Sequence, residues 1–167
     1  LDYSKRKEAT KFTIEKNNEI KRQLNFLNEQ DFIEARKGFI ATWPENKILD
    51  DEGNVVWNFE KFNFLGVEEK RESPDTVNPS LWRNAQLNQI NGLFKVVDGI
   101  YQVRGFDLGN ITFIRGEKGW IGVDMCTSVE VSRAAYELVK KHVEDLPITG
   151  VVATHSHIDH FGGIKGI

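Results

Sequence analysis

From residue 93 onward, apolar and polar positions fall into short blocks separated by glycine turns, the rhythm of successive strands. Residues 93–97 and 100–104 flank Asp98-Gly99, a dipeptide that favours a two-residue hairpin turn. Residues 110–115 and 120–123 flank Gly116-Glu117-Lys118-Gly119 and predict a second hairpin. Ser128 then caps a predicted helix whose apolar positions are Val131, Ala134, Ala135, Leu138 and Val139. Pro147 closes the connection, and the apolar run 148–153 predicts a buried strand. A meander followed by strand, helix and strand places the chain in the α+β class.

The first half is patterned differently. Residues 4–27 are rich in Lys, Glu and Asn, with Phe12, Ile20, Leu24 and Leu27 at partly helical spacing, which predicts a peripheral helix. Lys5-Arg6-Lys7 reads as its solvated end. Asp31, followed by Glu34, predicts the N-cap of a short second helix, and Gly38 its stop. Trp43-Pro44 ends that unit, and residues 50–54 predict a turn. Val55, Trp57 and Phe59 alternate as in a strand, and Phe62 and Phe64 extend the alternation. We expect these aromatics to be core, with an alkyl-chain pocket as the alternative. Asn78 predicts an N-cap and Pro79 a first helical residue, since proline there loses no needed donor. That helix is expected to end near residue 90, before Gly92, and its Arg83 to be structural rather than anion-binding. The expected organisation is a helical extension over residues 1–92 followed by a β-rich domain over 93–167.

Candidate chemistry concentrates just after the last strand. Three of the four histidines lie in the stretch Thr154-His155-Ser156-His157-Ile158-Asp159-His160-Phe161-Gly162-Gly163. Side chains alternate along an extended chain, so His155 and His157 leave the strand end on the same side. A turn toward helix beyond them swings Asp159 and His160 back toward a neighbouring point. Imidazole and carboxylate suit zinc, and a catalytic site keeps one position open for water. The pattern therefore predicts two metal ions sharing a bridging water, with His155 and His157 on one and Asp159 and His160 on the other. The competing interpretation is a histidine-rich surface loop. His142, on the preceding helix, is expected to be exposed and no ligand.

Composition removes several classes. A chain of 167 residues suffices for one ordinary domain, and four Trp, three Tyr and eleven Phe argue for a packed core. The net charge of −3 gives no support for nucleic-acid binding. One cysteine excludes an internal disulfide, and Cys126 reads as a small loop residue rather than a nucleophile. No apolar run approaches the ~18 residues of a membrane span. The start at Leu1 is read as a processed or trimmed N-terminus.

The histidine stretch resembles the signature of the metallo-β-lactamase superfamily. Three further stretches narrow the resemblance to alkyl sulfatases that hydrolyse dodecyl sulfate and similar surfactants. They are Asp75-Thr76-Val77-Asn78-Pro79-Ser80-Leu81-Trp82-Arg83, Gly92-Leu93-Phe94-Lys95-Val96 and Ile100-Tyr101-Gln102-Val103-Arg104-Gly105, and Arg36-Lys37-Gly38-Phe39-Ile40-Ala41 adds to them. The resemblance implies the first half of an αββα sandwich, with residues 93–167 as an incomplete catalytic domain and 1–92 packing on it. It implies two zinc ions at His155, His157, Asp159 and His160, with these four as the catalytic residues. Asp124, closing the fourth of the short strands, is implied to support the metal site from behind its ligands.

The resemblance also implies that further metal ligands and the second half of the sandwich lie beyond these residues. We therefore expect the chain to act with the remaining half of a larger enzyme, as a homodimer, on an alkyl sulfate substrate. It favours a periplasmic or secreted location. The alternatives are another hydrolase of the superfamily, such as a lactamase, thioesterase or phosphodiesterase, and an inactive fragment.

Overall fold

Both predicted hairpins form in the computed structural model, which describes residues 7–167. Compactness groups the residues up to Ala35 with Phe64–Gln89, and Arg36–Asn63 with Ile90–Ile167. This grouping differs from the division expected at residue 92, because strands from residues 36–63 belong to the second unit.

In the first unit, α1 (Lys11–Gln23) begins at Thr10, whose hydroxyl accepts the Thr13 N–H at 3.2 Å. The basic run falls mostly outside the described residues. The second helix, α2 (Gln30–Arg36), starts two residues earlier than an N-cap at Asp31 predicts. Asn28 accepts the Gln30 N–H at 2.9 Å, whereas the Asp31 carboxylate takes the Arg83 guanidinium at 2.6 and 2.7 Å. Helix α3 (Pro79–Asn88) is capped as expected, with the Asn78 side chain accepting from Ser80 and Leu81 N–H. Arg83 also donates to the carbonyls of Phe26 and Asn28 and lies over the Phe32 ring at 4.9 Å. Each of its three nitrogens has a partner within the first unit, which supports a structural role.

The second unit is built on a six-stranded sheet. Its strands are β1 (Phe39–Ala41), β4 (Gly92–Val97), β5 (Ile100–Arg104), β6 (Ile111–Arg115), β7 (Trp120–Val123) and β8 (Ile148–Val152), in that spatial order. Neighbours are antiparallel except β7 and β8, which are parallel and joined through α4 (Val129–His142). Gly99, at φ 77°, makes the β4–β5 turn possible without a Cβ penalty. Leu93, Val103, Ile111, Phe113 and Trp120 form one buried face, joined in the core by Val131, Ala134, Ala135, Leu138 and Val139 of α4. Burying each of Leu138 and Val139 contributes about 1.5–3 kcal/mol. Strand β8, expected to be buried, is an edge strand of the sheet and has no buried residue; Val152, like Ile121 on β7, remains exposed on the face opposite the core.

A small two-stranded sheet, β2 (Lys47–Leu49) with β3 (Val55–Asn58), completes this unit. The alternation expected to continue through Phe62 and Phe64 does not. Asn58 accepts the Glu60 N–H at 3.0 Å, and the chain enters a 3-10 helix over Phe59–Leu65. Such local side-chain capping of backbone donors competes with strand geometry. Trp57 and Phe59 pack against the core, as the core assignment expects, whereas Phe64, beyond the point where the strand gives way to the 3-10 helix, is exposed.

Candidate metal centre

Strands β7 and β8 end side by side, Val123 opposite Val152, and every candidate site residue follows one of these two ends. The Asp124 N–H donates to the Val152 carbonyl at 2.9 Å, so the pairing extends one residue beyond the ladder. Asp124 then takes a φ of 55°, a left-handed conformation that aspartate tolerates better than most residues. The turn aims its carboxylate at the chain leaving β8.

That carboxylate binds three donor groups on two residues. Oδ1 accepts the Thr154 N–H at 2.8 Å, and both oxygens lie 3.0 Å from the Thr154 hydroxyl. Oδ2 lies 2.9 Å from Nδ1 of His160. Burial pushes the Asp124 carboxyl up, but hydrogen bonds from the Thr154 N–H, from His160 and from the Thr154 hydroxyl outweigh it and hold it below its ordinary value. His160 is correspondingly raised, first by its hydrogen bond to Asp124, against burial, with the charges of Asp124 and Asp159 adding.

The donors fall into two pairs. After one 3-10 turn, Ile158–His160, Nε2 of His160 lies 3.2 Å from Oδ2 of Asp159. Nε2 of His155 lies 3.0 Å from Nδ1 of His157. The rings of His155 and His160 approach to 3.9 Å between centroids, so the pairs adjoin. The Thr154 hydroxyl has one proton; given to Asp124, it leaves the oxygen to accept Nδ1–H of His155 at 3.0 Å. With its ring neutral, His155 then presents an unprotonated Nε2, as does neutral His160 when it donates from Nδ1.

These residues fit a zinc-type cation by the chemistry of the donor set. At 3.0 Å one of the two facing nitrogens of His155 and His157 must carry a proton, whose place a divalent cation can take. The Asp124–His160 contact is the carboxylate–histidine arrangement that orients a ligating ring and raises its basicity. Among the described residues, no three His, Cys, Asp or Glu are arranged as a ready cage. His142 stands exposed in the last turn of α4, outside the cluster.

Backbone packing fixes the cluster from behind. Met125 N–H donates to the His160 carbonyl at 2.9 Å, and Gly163 N–H to the Cys126 carbonyl at 3.0 Å. A Cβ on Gly163 would stand 2.1 Å from the Met125 carbonyl oxygen, so glycine is required by close approach. Cys126 is buried, and burial first, then the charges of Asp107, Asp124 and Asp159, push its thiol far up; it is no nucleophile. The sequence pattern left Thr154, Asp107 and Thr127 without roles. Asp107 accepts both the N–H and the hydroxyl of Thr127, at 2.6 and 3.0 Å. The only advance signal was the glycine-flanked loop that holds it.

Residues 104–167 match the metallo-beta-lactamase superfamily. A linear primary-alkylsulfatase of a Pseudomonas species is 44% identical over 161 residues, covering 96% of this chain and 24% of that protein. The alkyl/aryl-sulfatase BDS1 of Saccharomyces cerevisiae is 41% identical, with the same coverage of each chain. Among solved structures, the stereoselective inverting sec-alkylsulfatase Pisa1 of a Pseudomonas species superposes with a TM-score of 0.85 at 45% identity, over 96% of this chain and 25% of that one. The chain thus spans about a quarter of the length of the relatives it matches.

Proposed function

From the premise that this chain is alkylsulfatase-like along nearly its whole length, we propose that the protein carrying it hydrolyses alkyl sulfate esters to an alcohol and inorganic sulfate. The observation that carries this is the pairing of His155 with His157 and of Asp159 with His160 at the end of β8. His155 and His157 would hold one zinc ion, and Asp159 and His160 the second. Bound zinc supplies a charge that lowers the pKa of water from about 15.7 to about 7 and offsets negative charge on sulfate oxygens.

The chain's own residues set the geometry for that chemistry. Asp124 holds His160 by Nδ1, which leaves Nε2 turned toward Asp159. Thr154 holds His155 by Nδ1 and turns its Nε2 toward His157. The Asp159 carboxylate, its side chain one-quarter exposed, would orient the attacking water as a ligating carboxylate.

The two pairs supply four protein ligands, whereas two catalytic zinc ions take about three each besides water. This shortfall, and relatives about four times as long, support an activity that belongs to a larger enzyme, its further ligands and second sheet layer supplied by a separate or unseen polypeptide; the homodimer rests on the alkyl-sulfatase resemblance alone. In this organisation residues 93–167 carry the proposed catalytic side chains.

The test is sulfate release from dodecyl sulfate by the full-length, zinc-loaded protein, beside β-lactam, thioester and phosphodiester substrates. Preferential sulfate release supports the assignment. Turnover of another class with none of dodecyl sulfate would replace it with a different hydrolase of the superfamily.

A further inference from the structure

Asp107 has no part in the proposed ligand set, yet its carboxylate is fully engaged. Oδ2 accepts the Thr127 N–H at 2.6 Å, while Oδ1 accepts the Thr127 hydroxyl at 3.0 Å and the Leu108 N–H at 2.6 Å. These bonds tie loop 105–110 to loop 124–128. The second loop contains two non-glycine residues in the left-handed region, Asp124 at φ 55° and Cys126 at φ 56°. Such conformations persist only where the surroundings over-determine them.

Both loops close on the segment bearing Asp159 and His160. Gly109 lies so tightly behind Asp159 that a Cβ there would stand 2.6 Å from the Asp159 carbonyl oxygen. A Cβ on Gly162 would stand 2.3 Å from the Thr127 carbonyl oxygen. The Cys126 thiol reaches the Gly109 carbonyl at 3.5 Å, a second tie between the two loops. Contacts thus connect the Asp107–Thr127 clamp to Asp159 through Gly109, and to His160 through Met125 and Asp124.

We infer that Asp107 is a positioning residue: by clamping Thr127 it fixes the turn that sets Asp124 on His160, and so tunes the cation affinity of the Asp159–His160 pair. The inference rests on the ligand assignment proposed above. Asp107 touches neither ligand by its side chain and acts only through the loops it joins.

The test is zinc affinity of the full-length protein, by competition with a chromophoric chelator, and its absorption spectrum after cobalt(II) substitution. Asp107→Ala and Thr127→Val should each weaken the less tightly held cation by about tenfold, the lower end of what partners behind metal ligands contribute. Both should alter the cobalt spectrum, and Thr127→Ser, which keeps the hydroxyl, should restore affinity and spectrum. If Asp107→Ala fails to fold, Thr127→Val carries the test, since it leaves the backbone bond to Asp107 in place. Wild-type affinity and spectrum in the variants, with only a lower melting temperature, would overturn the inference and leave the ligand assignment standing. A wild-type protein that binds no zinc would overturn both.

Discussion

Oδ2 of Asp124 lies 2.9 Å from Nδ1 of His160, so the carboxylate that closes β7 fixes the ring that follows β8. This contact, together with the Thr154 bonds, places the imidazole acceptors before any substrate arrives. Asp124→Asn tests it cleanly, because asparagine also tolerates the left-handed backbone while losing the carboxylate charge. The affinity of the full-length protein for its second zinc should fall about 10–100-fold, read by calorimetric titration. Unchanged affinity would separate Asp124 from the metal site.

Gly163 and Gly150 form a matched pair of tests. A Cβ at Gly163 meets the Met125 and Ser128 carbonyl oxygens at 2.1 and 2.5 Å, whereas one at Gly150 meets nothing within 4 Å. Gly163→Ala should therefore cost about 1–3 kcal/mol by chemical denaturation, the usual penalty of overpacking. Gly150→Ala should stay within about 0.5 kcal/mol of wild type. Equal effects would contradict the close packing of the histidine segment on loop 124–128.

The strands beyond Gly92, the Asn78 and Ser128 caps and the histidine cluster were legible because each depends on neighbours in sequence. Period-two alternation, an Asp-Gly turn and a side chain reaching two or three residues ahead are all local signals. Strand β1 was not legible: three residues, Phe39–Ala41, gain their place only by pairing with β4. The 3-10 helix over Phe59–Leu65 was missed because aromatic alternation outweighed the local Asn58 cap. In the site, Asp124 was placed by resemblance, but Asp107 and Thr127 gain their meaning only when β5, β7 and β8 end together. Their contacts span loops that no sequence period connects.

The Arg83–Asp31 pair should give the first unit an acid-sensitive limb. The Asp31 carboxyl is held below its ordinary 3.8 chiefly by the hydrogen bond from Arg83, against burial, with the Arg83 charge adding. A depressed folded value stabilises the fold above the unfolded value near 3.8, and the stabilisation is lost as pH falls through the depressed value. Asp31→Asn should remove that limb from a plot of denaturation midpoint against pH. Asp31 is 40% exposed, so solvent screening limits the loss in Arg83→Ala to about 1–2 kcal/mol. Sulfate-ester turnover should change little; a selective loss of turnover without destabilisation would move Arg83 into the substrate site.

Cys126 should behave as a buried structural thiol. Its raised pKa and burial predict no alkylation by iodoacetamide in the native protein near pH 8, and full alkylation after denaturation. Rapid native labelling, read by mass spectrometry, would show that loop 124–128 opens readily, contrary to the packing described.

The most direct measurement is the native mass of the full-length protein and of its His157→Ala variant, with bound zinc counted in each. Two zinc ions per protomer in the wild type, and loss of most zinc in the variant, is the result predicted for His155, His157, Asp159 and His160 as ligands. A variant that retains both ions, or a wild type that binds none under zinc-replete conditions, would contradict the assignment on which the sulfatase proposal stands.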